Sequence, residues 1–368
     1  MSSRSHSRKR RKNKGTLDTV GALANKPVGV IGGGKFGLAL ANLLSENVQA
    51  LIYTRRAELV EQINQTHTYK GIQLSERIQA TTDIEDICKR CQLMLPVISS
   101  VHFKTVMRKF SAFLTPQHML IHGTKGFDVL PGELDAGYIY EGFRRRDVKT
   151  MSEVIREETD VIRVGALCGP NLSSEILDGL PTATVIASEF DEVIQLGRSV
   201  LSGKRFFVFG SYDMRAAELT GALKNVIALA SGVLGGRGLG KNIEAMLIVR
   251  GLREMVLLGD LMGSSTRGFF GTAGIGDLIA TATSDKSRNY TFGKRIAKGE
   301  KTEDILADMD EVVEGIRSLH IAYYLVNKFE IEAPIINTIY RIIFKDIDIE
   351  DGIITLMARP MVSDVDFV

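Results

Sequence analysis

The sequence predicts a two-part α/β plus all-α molecule: an N-terminal Rossmann-type domain with a mostly parallel sheet, then an all-α C-terminal domain. Three observations carry this. Before Ser211, short apolar runs alternate with helical periods, and the strands are apolar almost throughout, as strands covered on both faces are. A run of glycines closes the first strand and opens a helix. Beyond Asp213, long helical periods take over and β-branched runs between turns nearly vanish. A chain of 368 residues is also too long for one hydrophobic core. The expected division is a basic tail at 1–26, a dinucleotide-binding domain at 27–213 and a helical substrate and catalytic domain at 214–368.

Residues 27–31 read as a buried strand and 36–44 as a helix rich in Leu and Ala. A second strand is expected at 48–53 and a second helix at 56–65. Residues 93–95 and 119–122 read as further buried strands, with three more at 162–167, 182–187 and 205–209. Helices are expected at 216–233, 243–261, 316–329 and 334–343. Residues 128–150, with Pro131, Gly132, Gly137 and the cluster Arg144, Arg145 and Arg146, read as an excursion from the first domain.

Composition narrows the function classes. Three cysteines (Cys88, Cys91 and Cys168) provide no disulfide framework and fit a reducing, cytoplasmic compartment. Cys88 and Cys91 form a C-x-x-C without a second pair or a metal-spaced histidine, so they read as incidental thiols and no metal site is expected. No uninterrupted apolar run is long enough to span a bilayer, so an integral membrane protein is not expected. Residues 1–15 hold seven basic side chains and no acid; setting them aside turns the formal charge of +2 into −5 for the body. Nucleic acid is therefore not an expected partner of the body. The tail itself has too little apolar content to bury a core. A solvated tail and a contact with RNA or anionic lipid are both compatible with its composition.

The sequence Gly32, Gly33, Gly34, Lys35, Phe36, Gly37 is a G-x-G-x-x-G between a strand and a helix. In that context Gly32 permits the tight turn, Gly34 lets the backbone approach a pyrophosphate, and Gly37 lets helix and strand pack closely. The helix N-terminus then presents free N–H groups to the anion. The second strand ends Tyr53, Thr54, Arg55, Arg56, without the acid that would accept the ribose hydroxyls of NAD. Two arginines suit a ribose 2′-phosphate, so NADP is expected to be accepted as well as NAD.

Polar clusters follow the strand ends and mark the helical half. Lys125 and Gly126 follow one strand; Gly169, Pro170 and Asn171 follow another. Lys224 and Asn225 lie on the first long helix, Asp277 follows a glycine-rich turn, and Ser287, Arg288 and Asn289 follow a polar loop. Two lysines, an acid and an Arg–Asn pair suit a phosphorylated alcohol, with the guanidinium fork of Arg288 matched to phosphate oxygens. His122 reads as a satisfied strand-end residue.

These stretches resemble bacterial NAD(P)-dependent glycerol-3-phosphate dehydrogenases. The matching segments are IGGGKFGLALA, the Lys-Gly at 125, GPNLSSE from Gly169, PTAT from Pro181 and ELTGALKNVIALASG from Glu218. They continue with NIEAMLIVRGLREM from Asn242, GTAGIGDLIATATSDKSRN from Gly271 and VVEG from Val312. The resemblance implies interconversion of glycerol 3-phosphate and dihydroxyacetone phosphate, a role in phospholipid synthesis and a homodimer. It implies that Lys224 accepts the proton, that Lys125 touches cofactor and substrate, and that Asp277 orients the lysine. Gly169, Asn171, Lys224, Asn225, Asp277, Ser287 and Asn289 would face substrate, and Arg288 both ligands. Lys35, Phe36, Arg55, Arg56 and Ser173 would hold the cofactor, with Val312 and Glu314 closing over it. Phe36 stands where the family usually has Trp, Asn171 where it has Ser or Thr, and Ser173 where it has Ala.

Overall fold

The computed structural model describes residues 26–69, 71–129, 144–309, 312–345 and 347–357. All but the last residue of the expected tail, and residues 130–143 of the excursion, lie outside them. Eight strands form the main sheet: β1 Val28–Ile31, β2 Ala50–Tyr53, β3 Ile78–Thr81, β4 Leu93–Pro96, β5 Met119–His122, β6 Arg163–Cys168, β7 Thr182–Ser188 and β8 Phe206–Ser211. Their order is β8-β7-β6-β5-β4-β1-β2-β3. From β3 to β6 all neighbours are parallel. The strand β7 then pairs antiparallel to β6, and β8 parallel to β7, so the last two strands run in reverse. The connection from β6 to β7 explains the reversal. Its only helix, α6 (Ser173–Leu177), is about 7.5 Å long and does not cross a sheet face.

Among the described residues, six helices clothe this sheet: α1 Lys35–Ser45, α2 Ala57–Thr66, α3 Ile84–Arg90, α4 Ser100–Ser111, α5 Met151–Glu158 and α7 Asp191–Leu201. Side chains alternate across the strands, so Val30 and Ile52 join one core with Leu38 and Leu40, while Ile31 and Leu51 join another with Phe103 and Phe110. Each such fully buried side chain contributes roughly 1.5–3 kcal/mol relative to exposure. The edge strand β3 escapes the reading from apolar runs, because only alternate residues of Ile78, Gln79, Ala80 and Thr81 turn inward.

The helical half follows at once. Asp213 caps α8 (Met214–Gly236), its Oδ1 accepting from Ala216 N at 3.0 Å. The expected division at 213 falls at this cap. Around α8 lie α9 Lys241–Leu261, α10 Asp277–Ala282, α11 Arg288–Ala297, α12 Thr302–Asp308, α13 Glu314–Lys328, α14 Pro334–Phe344 and α15 Ile349–Met357. With neighbours on nearly every side, α8 buries almost all its length, and Leu219, Val226, Ile227 and Val233 anchor the core of this half. Among the described residues it is the one helix long and apolar enough to cross a bilayer, yet it is enclosed by protein and carries Glu218, Lys224 and Asn225. The excursion leaves and returns as a short antiparallel ladder, Asp128 opposite Lys149 and Val129 opposite Val148.

Candidate active site

The loop after β1 has the geometry of an anion cradle. Gly32 sits at φ +130°, a region closed to most side chains. A Cβ built on Gly37 would lie 1.9 Å from the Gly32 carbonyl oxygen, so only glycine lets α1 start this close to the loop. A Cβ on Gly34 would meet nothing within 4 Å, leaving its backbone open to the cleft. Helix α1 has no side-chain cap and no acid in its first turn. Its first N–H groups therefore point at the open space above Gly34 without a protein partner, which is what a pyrophosphate requires. Beside the loop, the Arg56 guanidinium donates to the Gly33 carbonyl at 2.6 Å and to the Tyr69 hydroxyl at 2.8 Å, and lies 5.4 Å from the Tyr69 ring centre. Arg55 is exposed at the end of β2.

At the other end of the cleft, two lysines from opposite halves meet one carboxylate. Lys125, from the loop after β5, donates from Nζ to Asp277 Oδ2 and to the Gly169 carbonyl, both at 2.7 Å. Lys224, from α8, donates from Nζ to Asp277 Oδ1 and to Thr281 Oγ1, the latter at 2.6 Å. Lys224 and Asp277 are buried. Two cations share one anion here, so charge is not balanced locally. Burial pushes the Lys224 ammonium down to about 7; Asp277 opposes the shift, and the positive charge of Lys125 adds to it. A lysine of that kind gives up and takes back a proton near neutral pH.

A cleft of about 520 Å³ joins the two ends. Gly32, Gly34, Lys35, Phe36, Arg55, Arg56, Lys125, Asn171, Ser173, Lys224, Asn225, Ser287, Arg288, Asn289, Val312 and Glu314 all line it. Gly37, Gly169 and Asp277 stand behind its wall. The Asn171 amide donates to Thr184 Oγ1 at 2.9 Å, and its Oδ1 is buried without a hydrogen-bond partner. Asn289 joins three helices of the wall, donating to Asn225 Oδ1 on α8 at 2.9 Å and accepting from Gly315 N on α13 at 3.0 Å. Asn225 in turn donates to the Lys125 carbonyl at 3.3 Å. Arg288 donates to the Val312 carbonyl at 2.8 Å. Glu314 spans the cleft to α4, accepting from Ser100 N at 2.8 Å and from Ser100 Oγ at 2.6 Å; burial raises its pKa against those hydrogen bonds.

Two family models cover nearly the whole chain: the N-terminus of NAD-dependent glycerol-3-phosphate dehydrogenase at residues 27–194, and its C-terminus at 213–353. The chain belongs to that family. It is an NAD(P)-dependent oxidoreductase with a Rossmann-type sheet domain and a helical domain. A relative in Azotobacter vinelandii, named glycerol-3-phosphate dehydrogenase (NAD(P)+), is 35% identical over 351 residues, covering 94% of this chain and 98% of its own. One of the same name in Pseudomonas aeruginosa strain LESB58 is 34% identical over 348 residues, covering 93% and 97%. The crystal structure of glycerol-3-phosphate dehydrogenase from Coxiella burnetii superposes with a TM-score of 0.81 at 27% identity, over 91% of this chain and all of that one. A ketopantoate reductase from Ralstonia eutropha, at 13% identity and a TM-score of 0.55, shares the fold alone.

Sequence reasoning missed several partners of the dehydrogenase's cleft residues. Thr281 follows Asp277 by one helical turn on α10, a spacing that puts both side chains on one face and was legible in principle. Ser100 and Tyr69 carry no local signal, since each is brought in by tertiary packing. His122 departs from expectation. Neither of its buried ring nitrogens has an aligned hydrogen bond, although Nε2 lies 2.9 Å from Glu218 Oε1. The Cys88 and Cys91 thiols are buried, and burial pushes each up to about 12, so neither is a thiolate at neutral pH.

Proposed function

We propose that this cleft interconverts sn-glycerol 3-phosphate and dihydroxyacetone phosphate with NADP or NAD, supplying glycerol 3-phosphate for phospholipid synthesis. The observation that carries the reading is Lys224, buried at the end of a cleft that begins at a glycine cradle, held between Asp277 and Thr281 and brought toward neutrality by burial and by Lys125 against the pull of Asp277. The open Gly34 backbone and the uncapped start of α1 fit a dinucleotide, whose adenine side Lys35, Phe36, Arg55 and Arg56, which line the adjoining cleft, would hold. Bound there, the nicotinamide supplies the hydride chemistry.

The chain's own residues handle the proton and the charge. In oxidation, neutral Lys224 Nζ takes the proton of the substrate C2 hydroxyl; in reduction, the ammonium polarises the ketone and returns it. Asp277 keeps Nζ aimed, and Lys125 keeps it acidic while facing both ligands. Arg288 and Asn289, at the start of α11, hold the phosphate, with Ser287, Asn225, Gly169 and Asn171 around the rest of the substrate. Ser173, Val312 and Glu314 complete the cofactor wall. Following the resemblance, the enzyme is read as a homodimer, which light scattering of the purified protein measures; its three cysteines read as those of a cytoplasmic protein. The deciding experiment is NADPH oxidation with dihydroxyacetone phosphate, run beside 2-dehydropantoate. Turnover of the former is expected. Turnover of 2-dehydropantoate alone, or of neither, overturns the reading.

A further inference from the structure

Lys125 and Lys224 come from different halves of the molecule, yet their ammonium groups must share one carboxylate. Something has to set the register of the β5 strand end against α8. Three residues behind the cleft do so without touching it. Glu218 projects from α8 into the sheet half. Its Oε1 accepts from Ser152 N at 2.8 Å and its Oε2 from Ser152 Oγ at 2.6 Å, at the start of α5. His122 Nε2, at the end of β5, is 2.9 Å from Oε1, in contact with it but not aligned as a hydrogen bond. All three residues are buried. A buried carboxylate is costly unless donors surround it. Burial raises the Glu218 pKa, but His122 and Ser152 outweigh that and hold it below the ordinary carboxylate range.

The spacing shows what the contact is for. Glu218 and Asn225 lie seven residues apart on α8, hence on one face and about 10.5 Å apart along the axis. Their partners, His122 and the Lys125 carbonyl, lie three residues apart, a span of about 10 Å in extended chain. Between the two contacts sits Gly221, where an added Cβ would be in ordinary contact with Lys125 Cγ at 3.5 Å, so the lysine stem passes over the helix at about the width of one methyl.

We infer that Glu218 and Asn225 form a two-point clamp on the segment 122–125, with Glu218 a positioning residue that brings Lys125 to the carboxylate it shares with Lys224. This rests on the catalytic reading of Lys125 and Lys224 given above. The clamp acts through Lys125, so its loss is felt in turnover more than in cofactor affinity. Misplacing a reacting group by about 1 Å costs up to about 10²-fold in rate.

The test is a double-mutant cycle of Glu218→Ala and Lys125→Met, assayed well below the melting temperature with NADPH and dihydroxyacetone phosphate. Glu218→Ala is expected to lower kcat by about tenfold or more, with KM for NADPH changed by less than about twofold. In the Lys125→Met background the same substitution is expected to add less than about twofold, because the group it positions is gone. Losses that multiply in the double variant would overturn the clamp and leave Glu218 a packing residue. So would normal kcat in folded Glu218→Ala. If Glu218→Ala does not fold, Glu218→Gln enters the same cycle, since its amide keeps an acceptor for Ser152. His122→Gln, which removes only one end of the contact, is expected to lose less than Glu218→Ala; an equal or greater loss counts against the clamp. Lys125→Met alone separates the two readings: normal turnover there removes Lys125 from catalysis, whereas a large loss with a multiplicative cycle removes only the clamp.

Discussion

Lys224 is an ordinary helix residue by position and an unusual one by surroundings. Its ammonium is buried, shares Asp277 with a second cation and titrates at about 7. Lys224→Ala is expected to lower turnover by roughly 10²-fold or more, the scale of general acid–base catalysis, while cofactor binding survives. The sign of the pH dependence follows from the two directions. Oxidation needs the neutral amine, so its kcat/KM rises as pH passes about 7; reduction needs the ammonium and falls over the same range. Lys125 depresses this pKa, so in Lys125→Met the rising limb for oxidation moves to higher pH. A limb unmoved by that substitution would detach it from Lys224. Stability carries the same signature. The unfolded chain binds more protons here than the folded one between about 7 and the ordinary lysine value of 10.5, so the Lys224 contribution to stability rises with pH across that window. At the other end of the cleft the two arginines differ. Both are exposed, but Arg56 already bonds the Gly33 carbonyl and Tyr69. Replacing both by Ala is expected to raise KM for NADPH more than for NADH, a difference that shrinks with added salt. Equal losses for both cofactors would make them general adenine-side contacts.

At the scale of elements, the glycine loop separates binding from folding. Gly34→Ala adds a methyl where nothing lies within 4 Å, so it is expected to change stability by no more than about 0.5 kcal/mol. It should still raise KM for NADPH about tenfold, roughly 1.4 kcal/mol of lost approach. Gly37→Ala places a carbon 1.9 Å from the Gly32 oxygen and is expected to cost about 1–3 kcal/mol of stability as the loop and α1 part. Thermal melts beside cofactor titrations measure both; a destabilised Gly34→Ala would mean that the loop is not open there. This loop was legible because its chemistry is local, three glycines at fixed offsets after an apolar run. The long helices were legible for the same reason. The edge strand β3 was not, since half its residues face outward, and neither was the reversal of β7 and β8, which depends on how a short connection with one brief helix closes in space. The contacts of Glu218 with Ser152 and His122 join residues far apart in sequence, so no spacing announces them.

The whole molecule is organised around a cleft whose walls come from both halves. The glycine loop, Arg55 and Ser173 belong to the sheet half; Arg288, Val312 and Glu314 belong to the helical half. Glu314 reaches across to Ser100, Lys286 pairs with Asp178 at 3.3 Å and Lys125 with Asp277 at 2.7 Å, so the halves already touch along it. A ligand that contacts both walls stabilises the folded state of both. At a concentration of 100 Kd it adds about 2.7 kcal/mol, since it binds the native state and not the unfolded chain. Were the cofactor held by the sheet half alone, that half would gain the whole increment and melt later, while the helical half kept its own transition. With the walls shared, and with α8 tied into the sheet half by buried Glu218, neither half can unfold without discarding the site. Calorimetry with increasing NADPH is therefore expected to show one unfolding transition that moves upward as a unit. In Gly34→Ala, with binding weakened about tenfold, the increment at the same cofactor concentration should fall to about 1.4 kcal/mol, and the displacement of the transition with it. A scan in which NADPH splits the transition, moving one part and leaving the other in place, would assign the cofactor to the sheet half and make the helical wall a bystander in its binding.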